Sequence, residues 1–257
     1  MAIILKSPAD IEAWKEAGRL SAMVLREVGK RCVPGVSTLE LDQFAEDFIR
    51  LRGGKPSFKG LYGFPRTICA SVNEQIVHGI PSADVILKEG DIISIDTGAT
   101  VDGWVGDNAW TYAVGEISPA KKRLLEITEK CMWAGIDAAV AGNHLGDIGF
   151  AVQNIAEKAG YGVVREYVGH GIGRVMHEDP NVPNYGKPHT GLRLEVGLCI
   201  AIEPMINMGT WKTKTLGDRW TVVTRDGKPS AHFEKTIAIT ETGPLVITTE
   251  PDHVRPV

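Results

Sequence analysis

Apolar residues fall at helical spacing on Leu41, Phe44, Ala45, Phe48 and Ile49, and the same stripe returns 107 residues later on Ile148, Ala151, Val152, Ile155 and Ala156. Pro34-Gly35 and Ala141-Gly142 precede the two stripes, and Gly53 and Gly160 follow them as helix stops. An earlier helix start also recurs, since Ser7-Pro8-Ala9 and Ser118-Pro119-Ala120 both read as an N-cap serine with proline at the first helical position. That offset is 111, so the second copy of this first helix is expected to be four residues, about one turn, shorter. Apolar strands come next: Gly90-Asp91-Ile92-Ile93-Ser94-Ile95-Asp96 aligns at offset 107 with Gly197-Leu198-Cys199-Ile200-Ala201-Ile202-Glu203. The pattern is helix, helix, β-hairpin, used twice. It predicts an α/β (α+β) chain, a single domain over 1–257 with pseudo-symmetric halves at about 7–115 and 118–245.

The strands carry acids where a buried sheet would avoid them. In SIDTGATVDGWVGDNAW, Asp102-Gly103 is a two-residue turn signal, so Val101 should pair with Trp104 and Asp107 with Gly98. Alternation then puts Asp96 on the same face as Asp107, ~7–8 Å apart at the backbone. Either that face is wet, or something positive lies between the two carboxylates; the hairpin alone is compatible with both. The repeat adds two more acids. Asp96 aligns with Glu203, so each half should end an apolar strand on an acid, and the counterpart of Asp107 is Glu234 in HFEKTIAIT, ahead of a strand over Thr236 to Thr240. Its offset is 127, which requires about twenty extra residues, including Trp211 to Arg225, to loop out. Four clustered carboxylates fold stably only around cations, and oxygen-rich ligation with room for imidazole suits two divalent ions of the kind that activate water for hydrolysis.

Composition narrows the class without naming it. Of 257 residues, 43% are hydrophobic and 23% charged, which suits a globular protein with a full core. A net charge of −4 gives nucleic-acid binding no electrostatic support. The opening MAIILKSPAD is too short an apolar run for a secretory or membrane segment. Cys32, Cys69, Cys131 and Cys199 are widely spaced and read as reduced thiols, which predicts a cytoplasmic setting. Of seven histidines, His78, His170 and His177 stand among glycines that allow close backbone approach. Surface or cap positions are expected for His144, His189, His232 and His253.

The stretch YVGHGIGRVMHEDPNVPNY, Tyr167 to Tyr185, together with NEQIVHGIP and the acids above, resembles the signature of the type I methionine aminopeptidases, in the bacterial form without an N-terminal extension. The resemblance spans essentially the whole chain. It implies the pita-bread fold, two pseudo-symmetric halves with a central antiparallel sheet covered by helices, and removal of the initiator methionine from nascent polypeptides. It also implies metal ligands at Asp96, Asp107, His170, Glu203 and Glu234, with Asp107 and Glu234 shared by two divalent ions drawn from Co²⁺, Mn²⁺, Fe²⁺ and Zn²⁺. By the same likeness Glu203 moves the proton of the attacking water, His177 bonds the scissile carbonyl, and His78 contacts the scissile nitrogen or the next residue. The methionine pocket is implied to be Leu61, Phe64, Cys69, Met176 and Trp220, with Phe58 close by, and a monovalent cation is implied near Asn73, Gln75 and Ser230.

The chain departs from the family at Leu61 and Met176, where aromatic residues are more usual, and at His232 and Lys235, where Gln and His are. Further expectations are a small second residue in the substrate, a monomer, and transient contact with the ribosome. Four rivals remain. A proline-directed relative would carry an extra N-terminal domain, for which the start at Ser7 leaves no room, and a type II enzyme would lengthen the 26 residues from His177 to Glu203 or the 31 from Glu203 to Glu234. A binding module that had lost its chemistry would be free to lose ligands, and a closed structural cation site would not need open glycine-rich loops.

Overall fold

A computed structural model of the chain describes residues 3–250. Four helices carry the frame: α1 (Pro8–Gly29), α2 (Thr38–Leu51), α3 (Pro119–Ala138) and α4 (Leu145–Lys158). Ser7 caps α1 as expected, its hydroxyl accepting the Asp10 N–H while Asp10 reaches back to the Ser7 N–H, and Ser118 accepts the Lys121 N–H at the start of α3. The second helices are both 14 residues long and begin and end at the offset of 107. Gly53 and Gly160 end them with φ of +77° and +85°, the left-handed conformation that glycine adopts without a Cβ penalty. The first helices differ by less than expected, 22 residues against 20; the remaining two of the four missing residues come out of the connection to the second helix.

The hairpin has the expected register, with Val101 opposite Trp104, Gly98 opposite Asp107 and Asp96 opposite Ala109. Asp102 and Gly103 both take positive φ, 49° and 79°, as a twisted two-residue turn requires. Its strands, Ile92–Val101 and Trp104–Ala113, are ten residues each, so Asp96 sits mid-strand and does not end one. Glu203 does follow the end of its strand, Cys199–Ile202, because Pro204 lacks the N–H needed to continue the ladder.

The antiparallel sheet is divided into four hydrogen-bonded pieces. The hairpin heads one of them, and Lys235–Thr240, Cys199–Ile202 and Gly169–Gly171 lie side by side in a five-stranded piece of the second half. Side chains and backbone stitch the halves together where the acids are. The Glu234 N–H donates to the Ala109 carbonyl at 2.9 Å, the Thr236 hydroxyl to the Asp107 carbonyl at 2.8 Å, and the Thr111 hydroxyl both accepts from the His232 N–H and donates to its carbonyl.

The region expected to loop out is ordered. Thr213–Thr215 and Val222–Thr224 form a hairpin whose second strand pairs with Gln75–Val77 of the first half. It satisfies that short strand's edge and brings Trp220 over His78, with ring centroids 6.3 Å apart. Each half has its own core, Leu41, Ala45, Ile49, Ile93 and Ile95 in one and Ile148, Val152, Ile200, Ile202 and Ile237 in the other. Fully burying one such side chain is worth ~1.5–3 kcal/mol, so each helix face is held by several contacts of that size. A third cluster, including Trp14, Phe64, Cys69, Ile172 and Met176, lies under the cleft between them.

Candidate metal centre and substrate pocket

Five donors meet at the floor of the cleft. Asp96 and Asp107 project from the hairpin, His170 from the strand Gly169–Gly171, Glu203 from the end of Cys199–Ile202, and Glu234 from the step between Ser230–His232 and Lys235–Thr240. The His170 Nε2 lies 3.6 Å from Asp107 Oδ2 and 3.6 Å from Glu203 Oε1. The glycines on either side of His170 are required by packing: a Cβ on Gly169 would lie 2.2 Å from the Ala201 carbonyl oxygen, and one on Gly171 2.2 Å from that of Asp179. Nδ1 of His170, 2.9 Å from the Gly171 carbonyl oxygen, donates to it and so turns Nε2 toward the acids.

The electrostatics are those of a site built for positive charge. Burial, then the charges of Asp107 and Glu203, push the Asp96 carboxyl well above its usual range. Glu234 is pushed up likewise, by burial first and then by Asp107, Glu203 and Asp96, against a smaller opposing pull from Lys235. Burial disfavours the His170 imidazolium, but the Asp107 carboxylate and the Glu203 charge outweigh it and raise the group to about 8. Oδ1 of Asp96, Oδ1 of Asp107 and Oε1 of Glu234 are buried with no hydrogen-bond partner among the described residues. Unpaired buried carboxylate oxygens are costly, and divalent cations are what this donor set fits.

The histidines at the mouth differ from those at the floor. His78 follows Gln75–Val77 with φ +58° and packs edge-on to Tyr167; burial lowers it to about 4, so it is neutral. His177 lies in the loop after Gly171, its ring 4.4 Å from that of His170, and loss of water on its inner side together with His170 holds it below the ordinary histidine value. Above it Tyr62, 74% exposed, stacks at 5.7 Å. The sequence reading did not select Tyr62; its place in FKGLYGF among the pocket residues was the available signal.

A cavity of ≈ 250 Å³ opens from the acids and is lined on its apolar side by Phe58, Leu61, Phe64, Cys69 and Trp220. Phe64 and Trp220 meet edge to face at 5.1 Å. Cys69 is held by its strand, whose preceding residues Thr67 and Ile68 donate their N–H groups to the Asp42 carboxylate of α2 at 2.7 and 3.0 Å. Met176 is buried in the same cluster as Phe58, Phe64 and Cys69, with its Cε beside Gly98, and is not among the residues that line the cavity. Asn73, Gln75 and Ser230 lie together away from this cavity, the Ser230 N–H donating to the Asn73 carbonyl at 2.9 Å. The Asn73 Oδ1 takes the Lys121 ammonium at 2.9 Å, and Gln75 Oε1 takes the Val72 N–H.

The larger correction is His232. Expected at the surface or in a cap, it is 1% exposed, with Nε2 3.6 Å from Glu203 Oε2 and 4.0 Å from Glu234 Oε2. It ends the strand Ser230–His232, two residues before Glu234 in the step to the next strand, and its Nε2 lies beside the carboxylates of Glu203 and Glu234. Lys235 turns the other way, its ammonium bonding the Thr248 carbonyl at 3.0 Å. His144 does occupy the N-cap position of α4 and His189 is exposed, while His253 lies outside the described residues.

Residues 12–241 match metallopeptidase family M24, and the chain belongs to that family. It is 54% identical over 246 residues to methionine aminopeptidase 1 of Bacillus subtilis (strain 168), covering 96% of this chain and 99% of the relative. Among solved structures, methionine aminopeptidase from Rickettsia prowazekii superposes with a TM-score of 0.95 at 42% identity, over 96% of this chain and 100% of that one. Methionine aminopeptidase from Thermotoga maritima gives 0.95 at 44% identity, over 97% and 100%. No helix among the described residues is long and apolar enough to cross a membrane.

Proposed function

We propose that the protein is a metal-dependent methionine aminopeptidase that removes the N-terminal methionine from polypeptides and prefers a small second residue. The observation that carries the reading is the junction itself: five metal-type donors, three of them with unpartnered buried oxygens, form the floor of a short apolar pocket whose mouth bears His78 and His177. An unbranched thioether side chain suits the aromatic edges and the Cys69 sulfur of that pocket.

Asp96, Asp107, His170, Glu203 and Glu234 would hold the ions, Asp96 toward one and His170 with Glu203 toward the other, with Asp107 and Glu234 available to both. Divalent ions held there supply Lewis acidity toward the carbonyl and bring the pKa of water near neutrality. Glu203, at the solvent-facing edge of the cluster with a side chain 13% exposed, takes the proton of the attacking water and returns it to the leaving amine. His177 donates to the carbonyl oxygen as negative charge grows on it, and His78 orients the residue after the scissile bond. An ion at the floor would hold the substrate's free amine, and an apolar cavity of ≈ 250 Å³ beside it would take the first side chain, which together would restrict cleavage to the first residue. Which ion is used follows from availability, since Mn²⁺, Fe²⁺, Co²⁺ and Zn²⁺ all accept such ligands. A monovalent cation at Asn73, Gln75 and Ser230 would use backbone carbonyls, the Asn73 and Gln75 side-chain oxygens being engaged. A cytoplasmic monomer meeting nascent chains near the ribosome completes the reading.

The test is release of methionine from Met-Ala-Ser, against cleavage of Ala-Pro-Ser, by metal-stripped protein resupplied with Mn²⁺ or Co²⁺. Metal-dependent methionine release alone is expected. Cleavage before proline would move the chain to the proline-directed peptidases, and silence with every ion would make it a binding module.

A further inference from the structure

We propose that His232 is itself a metal ligand, its Nε2 joining Glu203 and Glu234 in holding a divalent ion, which gives this centre a second imidazole beside His170. The inference rests on the metal-dependent reading above. Three observations carry it. First, Nε2 is a buried nitrogen with no hydrogen-bond partner among the described residues, whereas a histidine kept for packing would have that atom paired. Second, its nearest acidic atoms, Glu203 Oε2 at 3.6 Å and Glu234 Oε2 at 4.0 Å, lie beyond hydrogen-bond reach yet close to the ~3–4 Å that separates two donors ~2.0–2.2 Å from one ion. Glu203, His232 and Glu234 bring their three ligand atoms within 4.8 Å of one another. Third, the backbone is anchored: its N–H and carbonyl both bond the Thr111 hydroxyl at 2.9 Å, and it pairs with Met205 across the sheet, which fixes the point from which the ring reaches the acids.

The two oxygens of Glu203 are thus flanked by different imidazoles, Oε1 by His170 and Oε2 by His232. Added nitrogen ligation favours the later transition ions, Co²⁺, Ni²⁺ and Zn²⁺, over Mn²⁺ and Mg²⁺. The centre should therefore discriminate among ions more sharply than carboxylate ligation alone would allow.

The experiment is proton NMR of metal-stripped protein titrated with Co²⁺, counting the far-shifted ring resonances of directly coordinated histidines, with Co²⁺ and Mn²⁺ affinities measured alongside. Two sets are expected in the unaltered protein and one in His232→Gln. In that variant Co²⁺ affinity should fall by at least the ~10–100-fold that loss of even an outer partner brings, and Mn²⁺ affinity by less. One set in the unaltered protein, unmoved by the substitution, would overturn the proposal and leave the proposed function standing. Failure to bind Co²⁺ at all would overturn both. If His232→Gln does not fold, the count in the unaltered protein decides alone.

Discussion

In the first half of the molecule both acids rise from one hairpin, eleven residues apart and fixed by a two-residue turn; in the second half Glu203 follows one strand and Glu234 precedes another, with a hairpin between them, and His170 lies on a third strand. The helical frames differ far less, with α2 and α4 of equal length. Such a pair of halves teaches that a repeated frame can hold a centre whose ligands are assembled locally on one side and at long range on the other. The local side is set by turn chemistry and register. The long-range side depends on glycine contacts at Gly169 and Gly171 and on the seam from Ala109 to Glu234.

The largest expected effect comes from the second half. Glu203→Gln keeps the side-chain shape but removes the proton acceptor, and methionine release should be lost while the thermal unfolding transition persists. Release at the unaltered rate would show that another group carries the proton. Next, His177→Ala should slow turnover by ~10²–10³, the usual consequence of removing one donor to a developing oxyanion. A change in KM alone would make His177 a binding residue.

A third expectation concerns the seam, where acids of both halves meet. Asp96 and Glu234 have folded-state values raised above those of the unfolded chain, so the metal-stripped fold holds protons that the unfolded chain would release, and its stability should fall as pH rises above the ordinary carboxylate range. His170 acts in the same direction: its raised value, about 8, adds stability that is complete below the ordinary 6.5 and lost as pH passes through 8. Divalent ions should reverse the trend, because their ligands are the deprotonated carboxylates. Thermal melts of stripped and reloaded protein across that range are the check, and parallel curves would count against the clustered acids.

The smallest effect sharpens the comparison between the helical frames. Ser7 caps α1 within a reciprocal box with Asp10, while Ser118 caps α3 alone. Alanine at either should cost ~0.5–2 kcal/mol, with Ser7→Ala the larger. Equal losses in denaturant unfolding would mean that the Asp10 half of the box contributes nothing.

What could be read from the sequence follows the same division. The hairpin register and the shared face of Asp96 and Asp107 were legible because turn type and alternation are local properties. Glu203 and Glu234 became legible through the repeat. His232 was not, because glycine-rich context was used to sort the histidines and this one relies on a strand position two residues from Glu234. The ordered hairpin of Thr213–Thr215 and Val222–Thr224 was missed for another reason: its partner, Gln75–Val77, lies in the other half.

The central claim, that two halves meet to hold catalytic divalent ions, is tested most directly by calorimetric titration of Mn²⁺ into fully stripped protein, with methionine release followed on the same samples. Binding of two ions per chain, with activity appearing as the sites fill, is the expected result. Undiminished methionine release from protein shown to be free of metal would contradict it.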